Sequence, residues 1–410
     1  VTAVDRARLT YRLELQRAVA NGVLEAAGST FLLLIALKYF HAGALAKALV
    51  AGGGSAGLML TPLVVSLVAR RGWPAAQAAA RFARVGAATF VLMAAVPWLP
   101  LYVLGAIVSM AAAAAVIPLL TQIYQDNYPE AQRGKLFSRA VMLRIAVNAG
   151  FSELAGRLLA GDIGRSRALL LVFAAAFAFA ASRLARYPSR PLHNDGGSHP
   201  FRAMRYARDD RLFRQTLIAW MLMGFANLMM LPLRVEYLGN AKYGLALDAR
   251  QIAFIVGVVP NVARLLMSQV WGWLFDRMNF FALRVVLNAG FALGILTFFL
   301  SDSPAGLLAG AIIFGIANAG GDVAWGLWVT KLAPPERVAD YMSVHTFFTG
   351  VRGVLAPVAA FYAAQSLALG TLGAICAGLI VAASLLLVPE IRWDRSARPG
   401  RVPGEQPLAE

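Results

Sequence analysis

Several things are scarce in this chain of 410 residues. It has one cysteine, Cys376, set in an apolar run, so neither a disulfide framework nor a cysteine metal site is available. It has four histidines and no His-x-x-x-His pair, which argues against an intramembrane metal enzyme. Charged residues make up only 14%, against about 25% in ordinary soluble domains. A soluble chain of this length needs far more polar surface to cover its core. Acidic residues are outnumbered 21 to 38 by basic ones, and only five of the basic residues are lysines. Paired carboxylates of glycosidase character and a nucleophile elbow are both missing, so no enzyme reading has a starting point.

What is abundant is apolar sequence: 59% of residues, with a mean hydropathy of +0.64. Twelve apolar segments are predicted near 18–38, 44–69, 75–97, 100–125, 137–160, 166–187, 213–236, 250–275, 280–300, 304–330, 339–365 and 368–389. They are rich in Ala, Leu, Val and Gly, lack strand alternation and are too long for barrel strands, so helices are the expected spanning form. The first run is too long and too embedded in the pattern to be expected as a cleaved signal. Short connections such as Pro97-Trp98-Leu99-Pro100 and Ser301-Asp302-Ser303-Pro304 imply antiparallel hairpins. Tyr187 to Asp210, with Pro188, Pro191, Gly196, Gly197 and Pro200 followed by Arg202, Arg205 and Arg208, reads as a polar linker ending in a short surface helix. The expected division is an amino-terminal arm (1–17), a six-helix bundle (18–187), a linker (188–210), a second six-helix bundle (211–390) and a tail (391–410).

Basic residues set the expected orientation. One set of connections carries 27 Lys and Arg, the opposite set 8, and Arg144, Arg264 and Arg352 lie within spans. The bias places both termini and the linker in the cytoplasm. The net charge of +17 then faces anionic lipid, and nucleic acid is not needed to explain it.

The two halves repeat. Tyr128-Pro129-Glu130-Ala131-Gln132-Arg133-Gly134-Lys135-Leu136-Phe137-Ser138 follows the fourth span, and Ala333-Pro334-Pro335-Glu336-Arg337-Val338-Ala339-Asp340-Tyr341-Met342-Ser343 follows the tenth. Gly22-x-x-Glu25 in the first span matches Gly224-x-x-Asn227 in the seventh. Gly272-Trp273-Leu274-Phe275-Asp276-Arg277 follows the eighth span, and Val65-Ser66-Leu67-Val68-Ala69-Arg70-Arg71-Gly72 is its first-half counterpart, with Val65 for Gly and Ala69 for Asp. On these segments the chain resembles the major facilitator superfamily of secondary transporters across roughly 18–389. The resemblance implies an all-α membrane protein, twelve transmembrane helices in two pseudo-symmetric six-helix bundles, working by alternating access. It also implies a cytoplasmic gate at Arg70, Arg71, Gly72, Gly272, Asp276, Arg277, Glu130, Arg133, Glu336 and Arg337.

Ionisable and polar groups at membrane depth are the candidate site, because charge there is costly unless paired or hydrated. Glu25 and Arg144 share a depth, with Asn21 and Asn148 one turn away. Arg144 could hold a substrate carboxylate or simply neutralise Glu25. In the second half, Asp322 and Arg352 fall within side-chain reach, and His345 lies two turns before Arg352, an arrangement able to trade a proton. Arg264, with Asn261 nearby, lies mid-span with Asp322 as its nearest acid, and two arginines around one aspartate predict a net positive cavity. Asn227 completes the polar set. Trp325 and Trp328 follow Asp322 as a stripe that could stack on a ring or serve as core. The expected activity is proton-coupled movement of a small organic anion or zwitterion across a bacterial inner membrane by a monomer without cofactors. A lipid or lipid-linked sugar transporter and a non-transporting receptor or scaffold stand as alternatives.

Overall fold

A computed structural model describes residues 3–191, 204–333 and 338–391. Described residues 3–127 form α1 (Ala3–Ala26), a π turn (Ala27–Phe31), α2 (Leu32–Lys38), α3 (Ala44–Arg70), α4 (Ala75–Ala95), α5 (Leu99–Ala115) and α6 (Ile117–Asn127). The first half ends with α7 (Glu130–Gly161) and α8 (Ser166–Leu184), and the short α9 (Arg205–Asp209) precedes the second. That second half comprises α10 (Arg211–Gly239), α11 (Ala249–Ala253), a π turn (Phe254–Val258), α12 (Val259–Arg277), α13 (Phe280–Phe299), α14 (Pro304–Leu332), α15 (Val338–Ser366), α16 (Leu369–Leu385) and α17 (Val388–Ile391). The first span is α1, its π turn and α2; the fourth is α5 with α6; the eighth is α11, its π turn and α12.

Among the described residues, ten of these spans are long and apolar enough by composition to cross a membrane. The other two are α7, which carries Arg139, Arg144, Glu153 and Arg157, and the shorter apolar α16. Helix starts follow local chemistry. Pro100, Pro118 and Pro304 occupy first turns, where a missing N–H costs nothing. Ser303, Asn279 and Asp248 accept backbone N–H bonds at N-caps, Asp248 with Gln251 as a reciprocal box. Large apolar side chains such as Leu154, Leu266 and Leu385 stay exposed on the outer faces, as a surface in contact with lipid requires.

One expectation changes. The arm expected at 1–17 is helical from Ala3 and continuous with the first span. Its charges looked like loop charges, yet Arg17 donates to both carboxylate oxygens of Glu14 at 2.8 and 2.7 Å and to the Tyr124 hydroxyl, while the Tyr187 hydroxyl donates to Glu14 at 2.5 Å. One satisfied ion pair thus ties α1 to α6 and to the end of the sixth span. The linker ends in α9, as its Arg spacing predicts, but residues 192–203 and the tail from 392 lie outside the described residues.

The halves meet along two seams. On one, α3 lies against α15 over most of its length, with Gly52 on Gly353 and Val354 and Gly350 on Met59. On the other, α7 lies against α11, the second π turn and α12, and Gly257 packs on Ser152. The glycine-rich run Gly52-Gly53-Gly54 with Gly57 is a packing notch: Gly53 sits on Ala106 and Ile107, Gly57 on Ala111.

Replacing Glu14 by Ala strands a buried guanidinium. We expect a loss of about 3–5 kcal/mol, read as a lower Tm of purified protein. Tyr187→Phe, which removes one hydrogen bond and no charge, should cost about 1 kcal/mol.

Candidate functional site

At mid-depth four charged side chains form one continuous chain across both halves. Arg144 of α7 contacts Glu25 of α1 at 2.9 Å. Arg264 of α12 donates from Nη1 to Glu25 at 2.7 Å and from Nε to Asp322 of α14 at 2.5 Å. Arg264 is therefore the hub, joining the first half to the second. It is only 8% exposed, and Asn261, one turn before it, accepts a further bond at 3.3 Å. Asn148 lies within hydrogen-bond reach of Glu25 and its Oδ1 accepts from Ser152. Asn21, one turn before Glu25 on α1, is half-buried.

Local backbone explains the placement. Glu25 lies two residues before the π turn Ala27–Phe31, and Asn261 and Arg264 follow the π turn Phe254–Val258. Such single-turn bulges re-aim the side chains beside them, and here both occur on spans that carry the charge chain. Asp322 is 39% exposed although it lies ten residues, about 15 Å, inside α14 from Leu332. A carboxylate open at that depth marks a cleft reaching into the protein from the end that bears the chain termini.

The opposite end is closed. There Lys47 of α3 donates to Glu236 of α10 at 2.6 Å, both buried, with Asn240 also donating to Glu236. Arg250 reaches Glu153 at 3.3 Å, and Glu153 also pairs with Arg157 at the rim. The polar links between halves formed by described side chains thus lie at mid-depth and at this far end.

Several expected placements differ. Asp322 does not pair with Arg352: α14 packs directly on α12 and barely touches α15, so Arg264 takes the carboxylate. Arg352 instead donates to the Trp220 carbonyl at 2.5 Å. The expected positive cavity around Asp322 is therefore a chain of two guanidiniums and two carboxylates, neutral overall. His345 is fully buried among Trp220, Trp325 and Trp328, and neither ring nitrogen has a hydrogen-bond partner. Trp328 is core, stacked between Phe213 and Trp220 at 5.5 and 5.4 Å; Trp325 is partly buried beside His345. Asn227 faces a water-sized cavity shared with Arg234, Phe298 and Phe314, and its Oδ1 has no partner.

The expected gate residues that are described engage their own half. Arg70 and Arg71 are exposed, and Gly72, at φ +61°, turns the chain after α3. The guanidiniums of Arg71 and Arg81 lie over Trp73, and that of Arg277 over Trp273. Gly272 lies inside α12. Glu130 and Arg133 fall in the first turns of α7; their side chains and that of Asp276 lie outside the described residues, as do Glu336 and Arg337 entirely. Sequence reasoning missed Lys47, Glu236 and Arg284. The first was counted with loop charges of one face and the last with loop charges of the other; only an acid at the end of the apolar run 213–236 hinted at the buried pair.

A family description, Major Facilitator Superfamily, matches residues 18–357. The chain belongs to this superfamily of secondary transporters and is not an enzyme. No curated protein matches it. Among solved structures, it is similar to the nucleoside transporter NupG at 14% identity, covering 94% of this chain and 100% of that one with a TM-score of 0.72. It is also similar to a POT family transporter in complex with a thioalcohol-conjugated peptide (11% identity, 94% and 96% covered, TM-score 0.76) and to a D-xylose-proton symporter (14%, 95% and 99%, TM-score 0.68). At these identities the likeness shows the fold.

Glu236→Gln leaves Lys47 buried without a counter-charge, a penalty paid only while the far end is closed. With Ser29→Cys as a reporter within the first π turn, labelling by a membrane-impermeant maleimide should rise several-fold in the Glu236→Gln protein. An unchanged labelling rate would show that the pair does not hold that end shut.

Proposed function

We propose that this protein is a proton-coupled secondary transporter of a small organic solute carrying a carboxylate or another negative group, working by alternating access. The observation that carries this reading is Arg264, held between Glu25 of one half and Asp322 of the other where Asp322 opens to the cleft. Protonating Asp322 removes one acceptor from Arg264 and leaves the chain with one excess positive charge. The freed Nε edge then offers a charge-assisted donor to an entering anionic group. Proton and anion enter together, and their departure restores the neutral chain. A zwitterion fits the same geometry, with its cationic end toward Glu25.

The basic-residue bias supports a cytoplasmic location for both termini and the linker. On that orientation the cleft faces the cytoplasm and the Lys47–Glu236 end is the closed outer face. The composition fits a bacterial inner membrane, and the chain works as a monomer in the lipid bilayer, with protons and a small solute as its partners.

In proteoliposomes given a solute panel, Asp322→Asn should abolish accumulation driven by a pH gradient while sparing solute exchange. Gradient-driven accumulation at the original level would overturn the coupling role. Arg264→Gln leaves Asp322 without a counter-charge and removes the anion's donor, so uptake and exchange should both fall at least tenfold.

A further inference from the structure

Besides Arg234, the second half encloses two more guanidiniums that the charge chain does not use, one buried and one half-buried. Arg284 of α13 is 1% exposed, and Arg352 of α15 points at the same residue, Trp220 of α10. Arg352 donates to the Trp220 carbonyl, and the Arg284 guanidinium lies 3.7 Å from the centroid of the Trp220 ring. His345 meets that ring edge-on at 5.4 Å and Trp328 at 5.1 Å. Helices α13 and α15 thus bring two guanidiniums and an imidazole to Trp220 of α10, Arg284 and His345 at its ring and Arg352 at its carbonyl.

No carboxylate answers them among the described residues. Their polar partners are neutral: the Trp220 carbonyl and Oδ1 of Asn288, which accepts from Arg284 at 3.1 Å. What remains is a set of buried polar atoms, most of them donors, without partners. Nε and Nη1 of Arg284, Nε of Arg352, both ring nitrogens of His345 and the indole N–H groups of Trp220 and Trp328 have no partner. The hydroxyls of Thr216 and Thr349, one turn from Trp220 and His345 on their helices, are also unpaired. Buried charge is normally paired, and stranded donors are each costly. A cation–π contact offsets part of one guanidinium's penalty and supplies no hydrogen bond. The missing component is an acceptor with negative charge.

We infer that the second bundle holds a small monovalent anion, of halide or carboxylate size, between Arg284, Arg352 and His345 beside Trp220. The close aromatic stacking around the site limits the ligand to that size. Trp325, beside His345, and Arg352 are both half-buried, so the cluster is not sealed on every side. The site needs neither Glu25 nor Asp322, so it stands apart from the coupling mechanism.

The test uses the full-length purified protein, with Tm measured in sodium chloride, sodium acetate and the bulky sulfonate salt of 2-(N-morpholino)ethanesulfonic acid at equal ionic strength. Chloride or acetate should raise Tm along a saturable curve relative to the sulfonate. Arg284→Met with Arg352→Met should abolish that dependence while matching or exceeding the original Tm in sulfonate, since two unpaired buried charges are gone. An effect of chloride alone marks a resident inorganic ion; an effect of acetate marks the carboxylate head of a solute. Equal Tm in all three salts, or an undiminished shift in the double variant, overturns the inference. If the double variant does not fold, bromide titration of the unmodified protein decides: tryptophan fluorescence should be quenched with a saturable component, and strictly linear quenching overturns it. The Glu25→Gln, Asp322→Asn protein should keep the anion-dependent Tm, which separates this site from the proposed proton coupling.

Discussion

A charge inside an apolar membrane protein has to keep a counter-charge within hydrogen-bond reach, and here Arg264 meets that condition for both halves at once. Its two edges face two carboxylates from two different bundles. Everything nearby serves that contact. The π turns on the first and eighth spans set the approach of Glu25 and Arg264, Asn148 and Asn261 brace the partners, and the glycine-lined seams let the helices come close enough for short bonds. Remove the guanidinium and Asp322 loses its counter-charge, while Glu25 keeps only Arg144.

The fold was legible because hydrophobic length is a blunt, redundant signal. Span boundaries agree with the helices to within a few residues almost everywhere, and the departure at the first span has a local cause: Glu14 and Arg17 neutralise one another and can sit on a helix flank. The site was legible in depth and not in azimuth. Depth along a helix follows from counting residues, so Glu25 with Arg144 was within reach of sequence reasoning. Which neighbour an acid faces depends on helix packing. Asp322 and Arg352 share a depth, but α14 turns toward α12. Arg284 was hidden for a different reason: near a helix end, a snorkelling arginine and an inward-pointing one look the same in sequence.

The two ends of the molecule use charge differently. At the far end, Lys47 and Glu236 are sequestered from solvent and bind one half to the other. At the end bearing the termini, some arginines lie over tryptophans of their own half, Arg81 on Trp73 and Arg277 on Trp273. Cation–π contacts of that kind order a surface without linking the bundles.

The order of signs along the mid-depth chain has one more consequence. It runs plus, minus, plus, minus from Arg144 to Asp322, and the boundary between the bundles falls at its midpoint, between Glu25 and Arg264. Parting there leaves Arg144 with Glu25 on one side and Arg264 with Asp322 on the other. Each bundle departs as an electrically balanced body, with no orphan ion in its wall. Separation costs one hydrogen-bonded contact rather than the exposure of a bare charge, so the centre of the molecule can come apart and rejoin with little electrostatic resistance.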